Sequence, residues 1–258
     1  MDDLITELHH TVYVITFNRI HKHNAFDDQL LNNLQARLDE AIHNPQVRSI
    51  VLNANGKHFS AGADLSWMQR MATYSEQENL ADAMVLAKVM NTLYESPKPT
   101  IAAVHGAAYG GGAGLAAACD IAIAADTARF CFSEVRLGLI PAVISPYVVK
   151  AIGERAARWL FMSADVFEAK QAKELGLIHY CISEEELLMF TLEYAQKISQ
   201  LAPQAVADCK LLVNQVSNQP VTDKVISHTA SLIAKKRVSA EGQRGLHAFL
   251  NKETPKWD

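Results

Sequence analysis

The stretch from Ile101 to Leu139, IAAVHGAAYGGGAGLAAACDIAIAADTARFCFSEVRLGL, constrains this chain more than any other. Neither Lys nor Glu occurs between Pro99 and Ser133, and Gly106, Gly110, Gly111, Gly112 and Gly114 form the densest glycine cluster of the sequence. Ile101–Val104, short, apolar and bounded by Pro99 and Gly106, predicts a buried strand. The glycines permit positive φ and close approach to the backbone N–H groups. Ala113–Cys119 predicts a short helix of small residues, which places the N–H groups of Gly111 and Gly112 at a helix N-terminus, where negative charge is favoured. Two further strands follow, Asp120–Ala125 and Ala128–Phe132, and Glu134 stands where the last one ends. A tight strand–helix turn explains the glycines as well as a functional loop does. A dinucleotide fingerprint fits less well, since the spacing is G-x-x-x-G-G-G-x-G and the helix is short for a βαβ crossover.

With 258 residues and 49% hydrophobic content, the chain can bury roughly three quarters of its unfolded surface. A net charge of −4 gives no footprint for nucleic acid. Cys119, Cys131, Cys181 and Cys209 lie far apart with no C-x-x-C pattern, as in a reduced cytoplasmic protein. No apolar run has bilayer length, and the acidic start MDDLITELHH lacks a leader pattern.

Along the chain, Leu4–Leu8 and Thr11–Phe17 predict a hairpin, and Asn18–Ala25 a polar loop. Asp27 is a plausible N-cap for an amphipathic helix that Pro45 closes. Val47–Asn53 predicts a strand, followed by the small-residue loop Gly56–Leu65 and one long amphipathic helix from Met68 to Ser96. After Glu134 come a loop over Ile140–Pro146, helices over Tyr147–Ile152, Glu154–Met162 and Glu168–Leu175, and a strand over Leu177–Ile182. Glu184–Leu201, Pro203–Val216, Val221–Val238 and Ala240–Lys252 are then all helical. Two modules share the plan strand, small-residue loop, helix, centred on Ala61-Gly62-Ala63 and Gly110-Gly111-Gly112, which hints at a repeat. The organisation expected is an α/β core over 1–195 with a helical segment over 196–258.

Two such loops can each offer an N–H to one point, the usual way to hold a developing oxyanion. A carboxylate that moves protons completes a minimal site for chemistry α to a carbonyl. Glu134 is the candidate. It is either a solvated strand end, a partner of Arg136, or a partly buried acid with a raised pKa; the apolar Phe130–Phe132 and Leu137–Leu139 around it argue for burial. No G-x-S-x-G or metal-ligand spacing is present. His58 and His105 flank the two loops without a recognisable partner and read as structural. Arg19, Lys22 and Lys57 are either phosphate contacts or solvated charges.

Taken together, Phe59–Leu65, Ala107–Gly112, Cys119–Ala124 and Phe132–Gly138 resemble the crotonase (enoyl-CoA hydratase/isomerase) family, as do Asn18-Arg19 with Asn24-Ala25, Ala169–Leu177, and the terminal Phe249-Leu250 with Pro255-Lys256-Trp257. The resemblance spans nearly the whole chain with order and spacing kept. It implies a spiral of ββα turns with a C-terminal helical trimerisation segment, assembled as a homotrimer or dimer of trimers. It also implies an acyl-CoA substrate, with coenzyme A part of that substrate and no separate cofactor or metal. By the same resemblance the N–H groups of Ala63 and Gly111 form the oxyanion hole, and Glu134 delivers a proton to the α-carbon. Arg19 and Lys22 meet phosphates, and Ala61, Asp64 and Leu65 belong to the CoA-binding segment. Gly110, Gly114 and Pro141 complete the substrate contacts, and Lys252 reaches CoA on a neighbouring subunit.

The sequence departs from the two-glutamate pattern of the family's hydratases, because Gly114 stands where their first glutamate would be. A second departure, RLGLIPAVISPYV after SEV, resembles the methylglutaconyl-CoA hydratase branch associated with leucine and terpenoid breakdown. The activity implied is hydration of a branched or carboxylated 2-enoyl-CoA. A Δ3,Δ2-enoyl-CoA isomerase with one glutamate as proton shuttle, and a non-catalytic acyl-CoA-binding protein of the same fold, are the alternatives.

Overall fold

A computed structural model describes residues 2–257. It divides into two compact units, Met1–Gln196 and Lys197–Asp258.

The first unit is built on a six-stranded sheet. β1 (Leu4–His9) and β2 (Val12–Phe17) form the hairpin, antiparallel with Leu4 opposite Phe17. β3 (Ser49–Ala54), β4 (Thr100–Val104), β6 (Ile121–Ala125) and β9 (Tyr180–Ile182) then add in parallel, in the order β1-β2-β3-β4-β6-β9. β3 and β4 are buried along their whole length, which is why they read as unbroken apolar runs rather than alternating ones. A second sheet holds three short strands: β5 (Ala107–Tyr109), parallel to β7 (Arg129–Cys131), which is antiparallel to β8 (Phe167–Glu168). Each turn of the chain gives a strand to the large sheet, a second strand to the small one, and then a helix: β4, β5 and α4 (Gly111–Ala118) make one such turn. The preceding turn is the same in outline, with Ser60 bridged to Ala108 in place of a full strand.

Local signals set most helix boundaries. Asp27 caps α1 (Asp28–His43) by accepting the N–H of Leu30. The long helix expected from Met68 to Ser96 is instead two, α2 (Leu65–Met71) and α3 (Glu76–Glu95). Asp64 starts the first, and a capping box between Ser75 and Glu78 restarts the second. Glu134–Leu137 forms a single 3₁₀ turn that Gly138 closes. The two helices expected on either side of Gly153 run together as α5 (Ser145–Ser163), interrupted only by the non-helical Gly153. α6 (Ala169–Leu175) follows, and α7 (Leu187–Ser199) spans the point of division.

The second unit carries α8 (Pro203–Val216), α9 (Asp223–Arg237) and α10 (Ala240–Leu250). Glu241 joins its parts. It accepts the N–H groups of Gln204 and Ala205 at the start of α8 and, with Asp208, meets Lys236 at the end of α9.

Candidate active site

The loop after β3 does not wander. Ser60, buried, donates its N–H to the Ala107 carbonyl and accepts from Tyr109, which fixes the loop along β5. Phe26 clasps it from the other side: its N–H goes to the Gly62 carbonyl at 2.9 Å and its carbonyl takes the N–H of Asp64 at 2.9 Å. Ala63 lies between those two bonds, and among the described residues its own N–H meets no acceptor.

The glycine turn after β5 is tied just as closely. Gly110 adopts φ 51°, ψ −119°, a conformation that only glycine takes without strain. Its N–H donates to the Cys131 carbonyl at 2.8 Å. Gly111 opens α4, so its N–H points out of the helix with no intrahelical partner. The distances around the glycines show how tightly the loops meet. A Cβ built on Gly62 would lie 3.3 Å from the Tyr109 carbonyl oxygen, one on Gly111 would lie 2.8 Å from the Phe26 ring, and one on Gly110 would lie 3.3 Å from Glu134 Oε1. Phe26, paired through its backbone to Ala63 and through its ring to Gly111, is therefore the hinge of the arrangement. The sequence offered one signal for it, an apolar residue just before the N-cap Asp27.

Glu134 reaches this place because β7 runs straight to it. Phe132, fully buried, packs edge-on against Phe161 at 5.1 Å and beside Phe167. On either side of Glu134, the Cys131 thiol and the Arg136 guanidinium both donate to the Ala164 carbonyl, at 3.2 and 2.6 Å. Arg136 is thereby turned to the end of α5 and not to Glu134. Oε2 of Glu134 is buried with no hydrogen-bond partner among the described residues. Burial pushes its carboxyl above the ordinary value, opposed only by its own backbone N–H.

Gly114 faces a wall. A Cβ there would collide with Ile144 Cγ2 and lie 3.1 Å from Met90 Cε. Ile144, 2% exposed, closes the α4 face against α5 and α3, so no side chain fits at position 114 beside it.

The polar residues expected at a coenzyme occupy a network of their own. Arg19 is buried, with Asp27 at 2.7 Å, Asp3 at 3.5 Å and the Ala25 carbonyl at 3.4 Å. Lys22 pairs with Asp64 at 2.7 Å. Asp64 also accepts from the N–H groups of Ser66 and Trp67 and from the Ser66 hydroxyl. Burial alone would raise its pKa, but Lys22 and these donors hold it well below the usual carboxylate range. Ala61 donates its N–H to the His23 carbonyl, and Leu65 at the start of α2 is 77% exposed. Pro141 is buried in the loop between the 3₁₀ turn and α5. Lys252 follows α10 in the second unit, exposed and at φ 58°. Among the described residues no cluster of His, Cys, Asp and Glu has the makings of a metal site, and no helix is long and apolar enough to cross a membrane.

Among the described residues, a carboxyl with one enclosed, unpaired oxygen beside a glycine turn, with free backbone N–H groups at Gly111 and Ala63 on either side of Phe26, is of the kind that suits transfer of a proton next to a carbonyl whose oxygen takes up charge. Comparison with known proteins points the same way. The family model for enoyl-CoA hydratase/isomerase matches residues 7–258. A Legionella pneumophila structure assigned as an enoyl CoA hydratase/isomerase (crotonase) is 62% identical, with a TM-score of 0.96 over 99% of both chains. An enoyl-CoA hydratase structure from Shewanella pealeana is 43% identical, with a TM-score of 0.96 over 99% of this chain and 96% of that one. A Thermus thermophilus protein assigned as an enoyl-CoA hydratase is 32% identical over 246 residues, 95% of this chain and 97% of that one.

Proposed function

This chain belongs to the enoyl-CoA hydratase/isomerase family, and from that premise we propose that it adds water reversibly across the double bond of a branched or carboxylated 2-enoyl-CoA. The observation that carries the reading is the Glu134 carboxyl, its Oε2 enclosed and unpaired, beside a glycine turn whose Gly111 N–H, with that of Ala63, lacks an acceptor among the described residues.

The steps follow from those groups. The thioester oxygen accepts the N–H groups of Ala63 and Gly111. Glu134, as carboxylate, takes a proton from water as the water oxygen bonds to Cβ. The electron pair of the double bond moves toward the thioester oxygen, which carries the enolate charge. Glu134 then returns a proton to Cα. One carboxylate serves both transfers when water and proton arrive on the same face. Each N–H donor is worth about 3 kcal/mol of barrier in such a site. Burial suits Glu134 to the task, since by raising the carboxyl's pKa it makes the carboxylate a stronger base toward water.

In this reading the coenzyme lies along Ala61–Leu65, with the exposed Leu65 against its apolar face. Lys22 stands at the phosphates, and Arg19 holds the 19–27 loop in shape behind it. Gly110 keeps room for Glu134, and Gly114 and Pro141 border the acyl group. Lys252 comes from another copy in a trimer or dimer of trimers. The substrate brings its own coenzyme A, and the reading assigns no separate cofactor.

The blocked position at Gly114 favours a second reading, Δ3,Δ2-enoyl-CoA isomerisation, in which Glu134 carries one proton between Cα and Cγ and no water is activated. A panel of 2-enoyl-CoA esters, followed by loss of the conjugated thioester absorbance, tests hydration. Formation of 2-enoyl product from a 3-enoyl-CoA, without 3-hydroxyacyl product, would replace hydration by isomerisation. Full turnover by Glu134→Gln would remove both.

A further inference from the structure

We propose that His58 is a positioning residue: its Nδ1 accepts the N–H of Ala107 at 3.0 Å and thereby locks the Ala63 loop to the Gly111 turn, in the register that aims both backbone donors at one oxygen. The inference rests on the role given above to those two donors.

The loop over residues 55–64 and β5 are joined by few bonds. Three are between backbones: Phe59 N–H to the His105 carbonyl, Ser60 N–H to the Ala107 carbonyl, and Tyr109 N–H to the Ser60 carbonyl. The fourth, from the Ala107 N–H, depends on the His58 side chain, and a further side-chain bond, from His105 Nε2 to the Gly56 carbonyl, joins the loop to the residue that follows β4. The His58 carbonyl is already committed, at 2.7 Å, to Asn24 Nδ2, which also holds the Asn55 carbonyl. The imidazole thus stands at the junction of three segments: the 19–26 loop, the 55–64 loop and β5. No slack is left beneath it. A Cβ on Gly106 would collide with the Lys57 carbonyl oxygen and lie 2.9 Å from His58 Nδ1.

A backbone N–H bound at Nδ1 fixes the tautomer. The lone pair is at Nδ1 and the proton at Nε2. Protonating Nδ1 would set N–H against N–H and break the bond. Burial is the first influence lowering the pKa of His58, and positive charge at His23, Lys57 and His105 lowers it further. These are the titratable groups around the ring: His23 in edge contact at 5.3 Å, Lys57 beside it in the loop, and His105 at the end of β4, whose Nε2 meets the Gly56 carbonyl at 2.9 Å. A depressed histidine favours the locked form above its ordinary value of about 6.5, and the lock opens as pH falls through the lowered value.

The experiment compares wild type, His58→Asn and His58→Leu. The Asn side-chain oxygen lies near the place of Nδ1, accepts the same N–H and does not titrate; Leu removes the acceptor. His58→Leu is expected to lower kcat by roughly tenfold to a hundredfold, the scale of a sub-ångström to 1 Å misplacement of catalytic groups, with KM little changed. His58→Asn restores kcat, and its pH profile falls on the acid side by one proton fewer than wild type. Backbone hydrogen exchange of the 56–64 and 105–111 segments quickens in His58→Leu and not in His58→Asn. Equal loss in both variants, or unchanged kcat and exchange in His58→Leu, overturns the proposal. If His58→Leu does not fold, an acid limb identical in wild type and His58→Asn overturns it. If wild type turns over no enoyl-CoA, the proposed function fails while the exchange comparison still decides the role of His58.

Discussion

Two carboxyl groups border the same pair of loops and have opposite surroundings. Asp64, at the end of the first loop, is saturated: Lys22, the Ser66 hydroxyl and two N–H groups at the start of α2 all point at it. Its pKa is held far down in spite of burial. Glu134, beside the second loop, is half-buried with Oε2 enclosed and unpaired among the described residues, and its pKa is pushed up. The nearest guanidinium in sequence, Arg136, is directed to Ala164 instead. The contrast separates a carboxylate that holds the fold from one left underpaired at some expense in stability, as the role proposed for it requires. A satisfied anion has no reason to take a proton near neutral pH; an isolated one does.

Exchanging each acid for its neutral or truncated counterpart is the sharpest way to break the contrast. Glu134→Gln should lower turnover of an enoyl-CoA by about a thousandfold, the range of a lost general acid–base group, while circular dichroism shows the fold intact. Asp64→Ala should cost about 3 kcal/mol in chemical denaturation, from a lost helix cap and an orphaned Lys22, with kcat of the folded protein changed far less.

The pH dependence of stability should run in opposite directions. A raised carboxyl weakens the fold once it ionises, so Glu134→Gln should be more stable than wild type at neutral pH, with the gain vanishing as pH falls below the ordinary Glu value of about 4.3. A depressed carboxyl strengthens the fold while ionised. Asp64→Asn should therefore be less stable at neutral pH, with the deficit shrinking as pH falls below about 4. Melting temperatures of the three proteins across pH 3 to 8 would read both signs (a range chosen to bracket those values).

Gly114→Ala should destabilise by about 2 kcal/mol through collision with Ile144, and Ile144→Ala in the same chain should recover part of the loss. Denaturant midpoints of the single and double variants check it. The smallest effect belongs to Arg136→Ala: about 1 kcal/mol from the lost bond to Ala164, with the pH–rate profile unmoved, because this guanidinium is not the counter-ion of Glu134. A profile shifted toward higher pH would dissolve the contrast between the two acids.

Much of the fold was legible because its signals are local. The unbroken apolar run of β4, the N-cap Asp27 and the glycine turn before α4 each act within a few residues. β5 was not legible: Ala107–Tyr109 has no β-branched residue, and its strand geometry comes from pairing with Ser60 and with β7. The break between α2 and α3 was written in the sequence as Ser75 and Glu78, but apolar spacing runs on across it and masks the signal. At the site, the half-burial of Glu134 follows from Phe130–Phe132 before it, while Leu137 and Leu139 after it, expected to help bury it, are exposed; the direction of Arg136 depends on Ala164, 28 residues further on. The meeting of Ala63 and Gly111 around Phe26, and the filling of the space at Gly114 by Ile144, are products of packing between distant segments.

The measurement closest to the central claim is proton exchange at the carbon next to the thioester. Wild-type protein, incubated with a 2-enoyl-CoA in deuterated water, should give product carrying deuterium at Cα, and Glu134→Gln should lose this incorporation and turnover by the same factor. Undiminished deuterium at Cα in Glu134→Gln would mean that another group moves the proton, and would contradict the account.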